Sequence, residues 1–370
     1  MREQISIIGM GQTRFGEWWG KSLKDLIEES VTQAIRSSPA TSLDIDFVIV
    51  ANMLGEAVNG QAHLGALTAS LLPHQPPAIR VEAACASGSV AIHTAISLLE
   101  SNRAGTVLVV GAEKMTDAPV SQIASALMGA AENETDAACG LTFPGLFGLI
   151  ARRYMHEFGL TRDLLSLVSA RHHANAVHNP FAQFRSIVAP EAVSESPVVA
   201  DPLRLLDCSP VSDGAAAVLL STKHTSPLRI AASQMSTDAV SITARPHITS
   251  FPATKDAAEH AYQEAGIRLT EISHLEHHDC FSIAALINME DLGFAENGRG
   301  IRFYQEENLP FTVNASGGLK GCGHPVAATG IKQIIDVGKQ LAASKKRWGM
   351  THNFGGIGAT CAVHILERMS

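Results

Sequence analysis

The chain reads as an α/β protein in which helices cover a parallel sheet, built as two similar halves with one long insertion. Three observations predict this. Strand-like and helix-like segments alternate along its 370 residues, the pattern of parallel sheet with covering helices. The order β-α-β-α-β-α-β-β occurs once before Pro227 and again after it. The stretch from about Met115 to Leu206 fits neither copy.

Taken in order, Ile5 to Ile8 forms the first strand, and Gly9 and Gly11 make the turn after it. Ser22 opens a helix through Leu23, Leu26, Ile27, Val31 and Ile35, which Ser37, Ser38 and Pro39 end. Asp46 to Ala51 is a continuous apolar strand of the kind covered on both faces. A glycine-broken helical segment runs from Gly60 to Leu72. The third strand runs to Ala84, a helix follows Cys85, and the next strand spans Thr106 to Gly111. Ala215 to Ser221 supplies the last strand of the first half.

The second half repeats the plan. Strands are expected at Leu228 to Ser233, His274 to Cys280, Phe311 to Ala315, Trp348 to Asn353 and Ala362 to Leu366. Helices are expected at Lys255 to Ala265, Ser282 to Met289 and Pro325 to Leu341. The non-repeating stretch carries two amphipathic helices, Leu146 to Phe158 and Leu164 to Asn175. It reads as an insertion between two strands of the first half, and excursions of this length commonly line a site or an interface.

Composition narrows the class. Hydrophobic residues make up 46% and charged residues 17%, which fits a globular chain with a large buried fraction. The net charge is −8, and no Lys/Arg cluster is dense enough to track phosphates, so nucleic acid is not an expected partner. Six cysteines stand scattered without a C-x-x-C pair, which argues for a reducing compartment. The start, Met1 to Gln4, leads directly into the first strand without a signal-type apolar region, and no run is long enough to span a bilayer. The tail Glu367-Arg368-Met369-Ser370 is not a peroxisomal address. The expected location is cytoplasmic.

Chemistry concentrates in four stretches. Cys85 stands among small residues where a strand passes into a helix, and the helix dipole there favours a thiolate; a cysteine packing the joint is the competing reading. Glu276-His277-His278-Asp279-Cys280-Phe281 ends a strand, Gly317 to Pro325 is a Gly-rich loop delivering His324, and Thr351 to Gly358 is a Gly-rich turn. All lie at carboxyl ends of strands, where open α/β sheets place ligands. No metal is expected: neighbours in a strand point to opposite faces, and no H-E-x-x-H occurs. Gly9-Met10-Gly11 lacks the third glycine of a dinucleotide fingerprint, and the glycines before His324 match no Walker A pattern. The repeat adds an expectation of its own. A pseudo-two-fold relating the halves brings the helix starts that carry Cys85 and His324 together.

Taken together, these stretches resemble the thiolase superfamily over essentially the whole chain. The resemblance rests on Ala84-Cys85-Ala86-Ser87-Gly88-Ser89, Val110 to Met115, Ser212-Asp213-Gly214-Ala215-Ala216-Ala217, His278-Asp279-Cys280-Phe281, Gly323-His324-Pro325 and the final glycine turn. His-Asp-Cys-Phe in place of Asn-Glu-Ala-Phe, with Asn353 where most thiolases carry a cysteine, makes the chain similar to the sterol-carrier-protein-type and archaeal-type members.

That resemblance implies a five-layered α-β-α-β-α fold. It divides the chain into an N-terminal half (1–114 with 207–225), an inserted loop domain (115–206) that carries coenzyme A, and a C-terminal half (226–370). It implies a reversible Claisen condensation of two acetyl-CoA to acetoacetyl-CoA and coenzyme A, or thiolysis of 3-ketoacyl-CoA, through an acyl-cysteine. A longer-chain or sterol-type thiolase and a non-catalytic acyl-CoA-binding subunit are the alternatives. Coenzyme A and acyl-CoA enter as substrates, with no permanently bound cofactor.

By the same resemblance Cys85 is the nucleophile, His324 its base and Cys280 the acid/base thiol. His278 donates to the substrate oxygen, and the backbone N–H groups of Cys85 and Gly355 form a second oxyanion hole, with Asn353 in support. Homodimers or tetramers are the usual assembly, and a small OB-fold protein and a hydroxymethylglutaryl-CoA synthase are partners of archaeal-type relatives.

Cys139, Cys208, Cys322 and Cys361 read as packing residues, with Cys322 prone to oxidation, and His277 and His352 as structural. For His172, His173 and His178 a coenzyme A contact and a solvated face both fit. Two departures from the family pattern stand out. Ala284-Ala285-Leu286 lacks an expected acid, and Val326-Ala327 replaces a residue–glycine pair, adding a methyl that narrows the acyl pocket.

Overall fold

The computed structural model describes residues 4–369; the parts of the terminal readings that fall on residues 1–3 and on 370 lie outside it. The first half runs β1 (Ile5–Gln12), α1 (Leu23–Arg36), β2 (Phe47–Ala51), α2 (Gly55–Asn59), α3 (Leu64–Ala69), β3 (Ala78–Val81), α4 (Ser87–Glu100) and β4 (Thr106–Glu113). Next come α5 (Val120–Leu127), α6 (Phe143–Phe158), α7 (Arg162–Ala176), α8 (Pro190–Glu195) and the strands β5 (Val198–Ala200) and β6 (Leu203–Arg204), before β7 (Gly214–Ser221). The second half runs β8 (Leu228–Thr237), α9 (Pro252–Ala265), β9 (Ile272–His277), α10 (Ser282–Asp291), α11 (Arg302–Gln305), β10 (Thr312–Val313), α12 (Gly318–Cys322), α13 (Thr329–Ser344), β11 (Trp348–Gly355) and β12 (Thr360–Arg368).

Ten strands form one sheet in the order β10-β9-β11-β12-β8-β1-β7-β4-β2-β3. Outward from the β1/β8 seam, each half lays down its first, last, fourth, second and third strands, so the repeat read in the sequence is a repeat of topology. The seam is antiparallel and short, Ile5 facing Ile230 and Ser6 facing Arg229. The expectation of a parallel sheet needs correction. Pairs β2/β3, β2/β4, β9/β10 and β9/β11 are parallel, while β7, β12, β1 and β8 pair antiparallel. A tight turn joins β11 to β12, and such a connection permits only antiparallel pairing.

Side-chain alternation makes the layers. Val48, Val50, Leu108 and Val110 meet α1 and α3 on one face, while Ile49, Val107 and Val109 meet α4 and α13 on the other. Beyond the second-half strands, Leu275, Met350, Val363 and Ile365 pack under α9 and α10. The result is α-β-α-β-α. Helices α6 and α7 of the insertion share this last core through Phe147, Ile150 and Val168, so they are packed into the second half.

Several boundaries differ from the sequence reading. Strand β1 continues through Gly9 and Gly11 to Gln12, because α1 crosses so closely that a methyl at Gly11 would strike the Ser30 carbonyl. Ser22 caps α1 in a full capping box with Asp25, worth about 1 kcal/mol. Strand β3 stops at Val81 and β9 at His277, so Cys85 and Cys280 sit in turns beyond their strands. Residues 318–322, read as loop, form the short helix α12.

Candidate active site

Cys85 occupies a tight turn between β3 and α4. Ala84 takes a left-handed φ of 51°, a conformation that costs a residue with a Cβ about 1 kcal/mol or more and needs support from its surroundings. Ser87 provides it: its Oγ donates to the Ala84 carbonyl at 2.6 Å and accepts from the Ala83 N–H at 2.8 Å. Ala86 N–H closes the turn on the Ala83 carbonyl at 3.0 Å. The turn leaves Cys85 half-buried, lining a pocket.

In the second half α12 ends at Gly323, whose φ is 95°, and the chain delivers His324 before α13. The starts of α4 and α13 touch. A Cβ added at Gly88 would fall 2.5 Å from the Ala327 carbonyl oxygen. Only a residue without a side chain fits there. The contact brings polar atoms of Cys85, His278 and His324 within 4.8 Å of one another, as the pseudo-two-fold requires.

Hydrogen bonds fix the proton on each imidazole. Thr329 Oγ1 lies 2.7 Å from His324 Nδ1 and donates its own hydrogen to the Pro325 carbonyl at 3.3 Å. The oxygen therefore accepts from Nδ1–H, and Nε2 of His324 carries the lone pair of a base. His278 is the reverse. Its Nδ1 accepts from the Asn353 amide at 2.8 Å, so Nε2 bears the hydrogen and acts as a donor. Both Nε2 atoms are buried without a protein partner, which leaves them for a ligand. A metal would need lone pairs from all three groups, and His278 offers an N–H.

Behind these groups the turn after β9 is tied down. Asn288 donates to the His278 carbonyl at 2.5 Å, a support from the second turn of α10 where the missing acid was expected in the first. Asp279 Oδ1 accepts from Leu319 N–H at 2.8 Å, and Oδ2 meets His172 Nδ1 at 2.8 Å. Burial works to raise Asp279, yet His172 and Lys320 outweigh it and hold the carboxyl below its ordinary range. Cys280, 6% exposed, shares the pocket with Cys85 and His324.

Desolvation sets the resting protonation. Burial, then the Glu113 carboxylate, pushes the Cys85 thiol up to about 12, although the N–H groups of Gly356 and of Cys85 itself favour its thiolate. The expected thiolate is thus absent at rest, because α4 begins only at Ser87 and the turn lies in a dry site. Burial brings His324 down to about 4 and places His278 well below the ordinary histidine value. A neutral thiol therefore faces a neutral base. Glu113 is raised to about 7 by burial while accepting N–H bonds from Met53 at 2.7 Å and Leu54 at 3.2 Å.

The cavity measures about 210 Å³. Cys85, Cys280 and His324 meet apolar walls formed by Met53, Met115 and Val326 and by Val120, Ile123 and Leu127 of α5. Ala327 points away from it into the core under α4, so its extra methyl does not narrow the pocket, while Val326 does line it.

Other sequence readings are redistributed. Cys139 is exposed and so does not pack a core, while Cys208 packs against the second-half core and also lines the pocket. Cys322 and Cys361 are buried, and burial pushes the Cys322 thiol up to about 11, which removes its proneness to oxidation. His172 and His173 are buried, in neither a solvated nor an open ligand-facing position, whereas His178 is exposed. His277 takes Tyr304 at 3.2 Å and His352 takes Thr254 at 3.1 Å, both buried. Sequence reasoning missed Ser87, Asn288, Thr329 and Lys320 as supports. No local signal marks them, since each matters only through a partner distant in the chain or a turn geometry.

A half-buried thiol, an imidazole base, an imidazole donor and a second thiol at one apolar pocket define an acyl-transferring enzyme of the cysteine type. The comparisons with known proteins agree. Residues 5–224 match the thiolase N-terminal domain and residues 234–368 the thiolase C-terminal domain-like family. The chain belongs to the thiolase family and is an acyltransferase.

Among its relatives are proteins named acetyl-CoA acetyltransferase. The one from Methanothermobacter thermautotrophicus is 42% identical, covering 98% of this chain and 99% of its own. The one from Methanocaldococcus jannaschii is 41% identical over 98% of each. Among solved structures, the Ltp2-ChsH2(DUF35) aldolase superposes with a TM-score of 0.85 at 21% identity, covering 99% of this chain and 98% of that one, a likeness of fold.

Proposed function

We propose that the chain is an acetyl-CoA acetyltransferase, forming acetoacetyl-CoA and coenzyme A from two acetyl-CoA or running the reverse thiolysis. The observation that carries this reading is the opposite tautomers of His324 and His278 beside Cys85. In thiolysis the Cys85 sulfur attacks the keto carbon while its proton passes to His324 Nε2. The bond to the α-carbon breaks, and its electron pair leaves as the acetyl-CoA enolate, whose oxygen accepts a hydrogen bond from His278 Nε2–H while that proton stays on the imidazole. The Cys280 thiol then protonates that carbon. Coenzyme A then gives its thiol proton to the Cys280 thiolate and attacks the acyl-Cys85 thioester; the bond to Cys85 breaks, and the leaving sulfur takes back its proton from His324, which regenerates the enzyme. The N–H groups of Cys85 and Gly355 stabilise the thioester oxyanion, and Asn353 holds the His278 tautomer.

The division into 1–114 with 207–225, 115–206 and 226–370 accompanies this reading, with coenzyme A entering along the inserted segment. No resident cofactor takes part. Oligomeric state and a small partner protein belong to the same proposal, since a chain of similar fold is paired with a DUF35 protein; co-purification of a second small chain supports it. No helix among the described residues is long and apolar enough to cross a membrane.

One observation favours a second reading. The apolar wall of α5 extends beyond what an acetyl group fills, which suits a longer 3-ketoacyl chain. A thiolysis profile over chain length decides between the two. Cys85→Ala that retains thiolysis of acetoacetyl-CoA, or failure to trap an acyl group on Cys85 by mass spectrometry, sinks both.

A further inference from the structure

Lys320 is the lysine in the middle of α12. It is 1% exposed, and no carboxylate among the described residues forms an ion pair with it. Its Nζ donates to the Asp279 carbonyl oxygen at 2.6 Å, the carbonyl of the peptide whose nitrogen belongs to Cys280. Burial works against the ammonium, and the Asp279 carboxylate, close by but not ion-paired with it, is the first charge that offsets this, followed by the Cys280 sulfur. Its surroundings show what charge it faces: Asp279 and Cys280 from the turn after β9, Asp207 and Cys208 from the chain after β6, His173 from α7, and His277 and His324. Asp279 is already occupied by His172 and the Leu319 N–H.

Cys280 has the complementary deficit. To take an α-proton it must carry a thiolate in a desolvated pocket with Cys85 beside it, and burial and Cys85 both oppose that charge. His278 and His324 are held neutral. The Lys320 charge favours the Cys280 thiolate against both burial and Cys85.

We propose that Lys320 is the positioning and electrostatic partner of Cys280, fixing its peptide and stabilising its sulfur as thiolate when the α-proton is taken. In condensation the acetyl-CoA C–H bond breaks, the proton goes to the Cys280 sulfur, and the electron pair moves to the enolate oxygen. The ammonium keeps its own proton throughout. The inference rests on the acid/base role given to Cys280 under the proposed function.

The test compares Lys320→Met, which removes the charge and keeps the length, with Lys320→Arg, which keeps the charge. Lys320→Met is expected to slow acylation of Cys85 from acetyl-CoA less than it slows condensation. It is expected to lose about tenfold or more in condensation and to move the rising limb of the pH profile about one unit higher. Lys320→Arg is expected to bring that limb back. A limb that stays in place, with or without a fall in kcat, assigns Lys320 a packing role and overturns the proposal.

A second measurement reads the sulfur itself. In Cys85→Ala, alkylation of Cys280 by iodoacetamide is followed by mass spectrometry as a function of pH, with and without Lys320→Met. A midpoint about one pH unit or more higher when Lys320→Met is added supports the proposal, and a smaller shift or none overturns it. Full turnover in Cys280→Ala is a different failure, of the acid/base reading itself.

Discussion

The two helix starts make an instructive pair. In the first half the chain from β3 to Cys85 is half-exposed, ending in a turn held by one serine and carrying one residue in a left-handed conformation. In the second half every residue from Ser316 to Gly338 is buried, and the turn is a short helix, a glycine and a proline. Identical strand order thus supports opposite tasks. One copy leaves a sulfur half-buried at a pocket, and the other keeps imidazoles neutral by withholding water from them. The difference shows that topology placed the reacting atoms within reach, while burial decided what each can do.

The largest effect that tests this division is His324→Ala. It removes the base and leaves the Cys85 turn intact, so thiolysis is expected to fall about 10³–10⁴-fold, with far-UV circular dichroism unchanged. A loss under tenfold would mean that the first half activates its own thiol. Next comes Asn353→Ala, which frees Nδ1 of His278 and with it the tautomer; kcat is expected to fall about 10²-fold or more with KM nearly constant. Equal loss in KM would place Asn353 in binding instead.

Gly88→Ala tests the contact between the halves. Its methyl must displace the Ala327 carbonyl or α4, and a loss of about 1–3 kcal/mol is expected in urea unfolding. An unchanged midpoint would show that the seam yields.

The smallest effect is in acid. Burial depresses His324 and His173 to about 4 and His277 and His364 to about 3. Below the ordinary histidine value near 6.5 the unfolded chain takes protons that the folded chain refuses. The stability these groups contribute is complete above that pH and is lost as pH falls toward 4. Burial lowers His274, His278 and His352 as well. Glu113, raised to about 7, Asp291, raised to about 6, and the raised Glu276 and Glu290 work in the opposite direction, four carboxyls against seven histidines. Tm is expected to decline from pH 7 to pH 5; a flat profile would contradict the burial of these histidines.

Much of this was legible in the sequence. Apolar runs marked the strands of both halves, and the repeat raised the expectation that Cys85 and His324 meet. The limits were physical as well. Pairing direction at β7 and β12 depends on how the chain returns, which local hydrophobicity does not record. Strand β1 was cut short at Gly9 because glycine reads as a turn, whereas here it marks a helix crossing close overhead. At Cys85 the N–H groups that favour a thiolate follow from where the strand meets the helix, while the desolvation that opposes them is not visible in a sequence. His172, read as a coenzyme A contact or a solvated face, proved to be the partner of a buried aspartate 107 residues away in the chain.

The close passage of Gly88 over the Ala327 carbonyl has a consequence for how the protein breathes. Local opening elsewhere in a protein can release one segment while the rest stays folded. Here the backbone behind Cys85 and the backbone behind His324 bear on each other at Gly88 and Ala327, so the two are expected to open together. Amide hydrogens at the starts of α4 and α13 should exchange together and about as slowly as those of the central strands. The site then has no half-open form in which a thiol loses its base yet remains exposed to solvent.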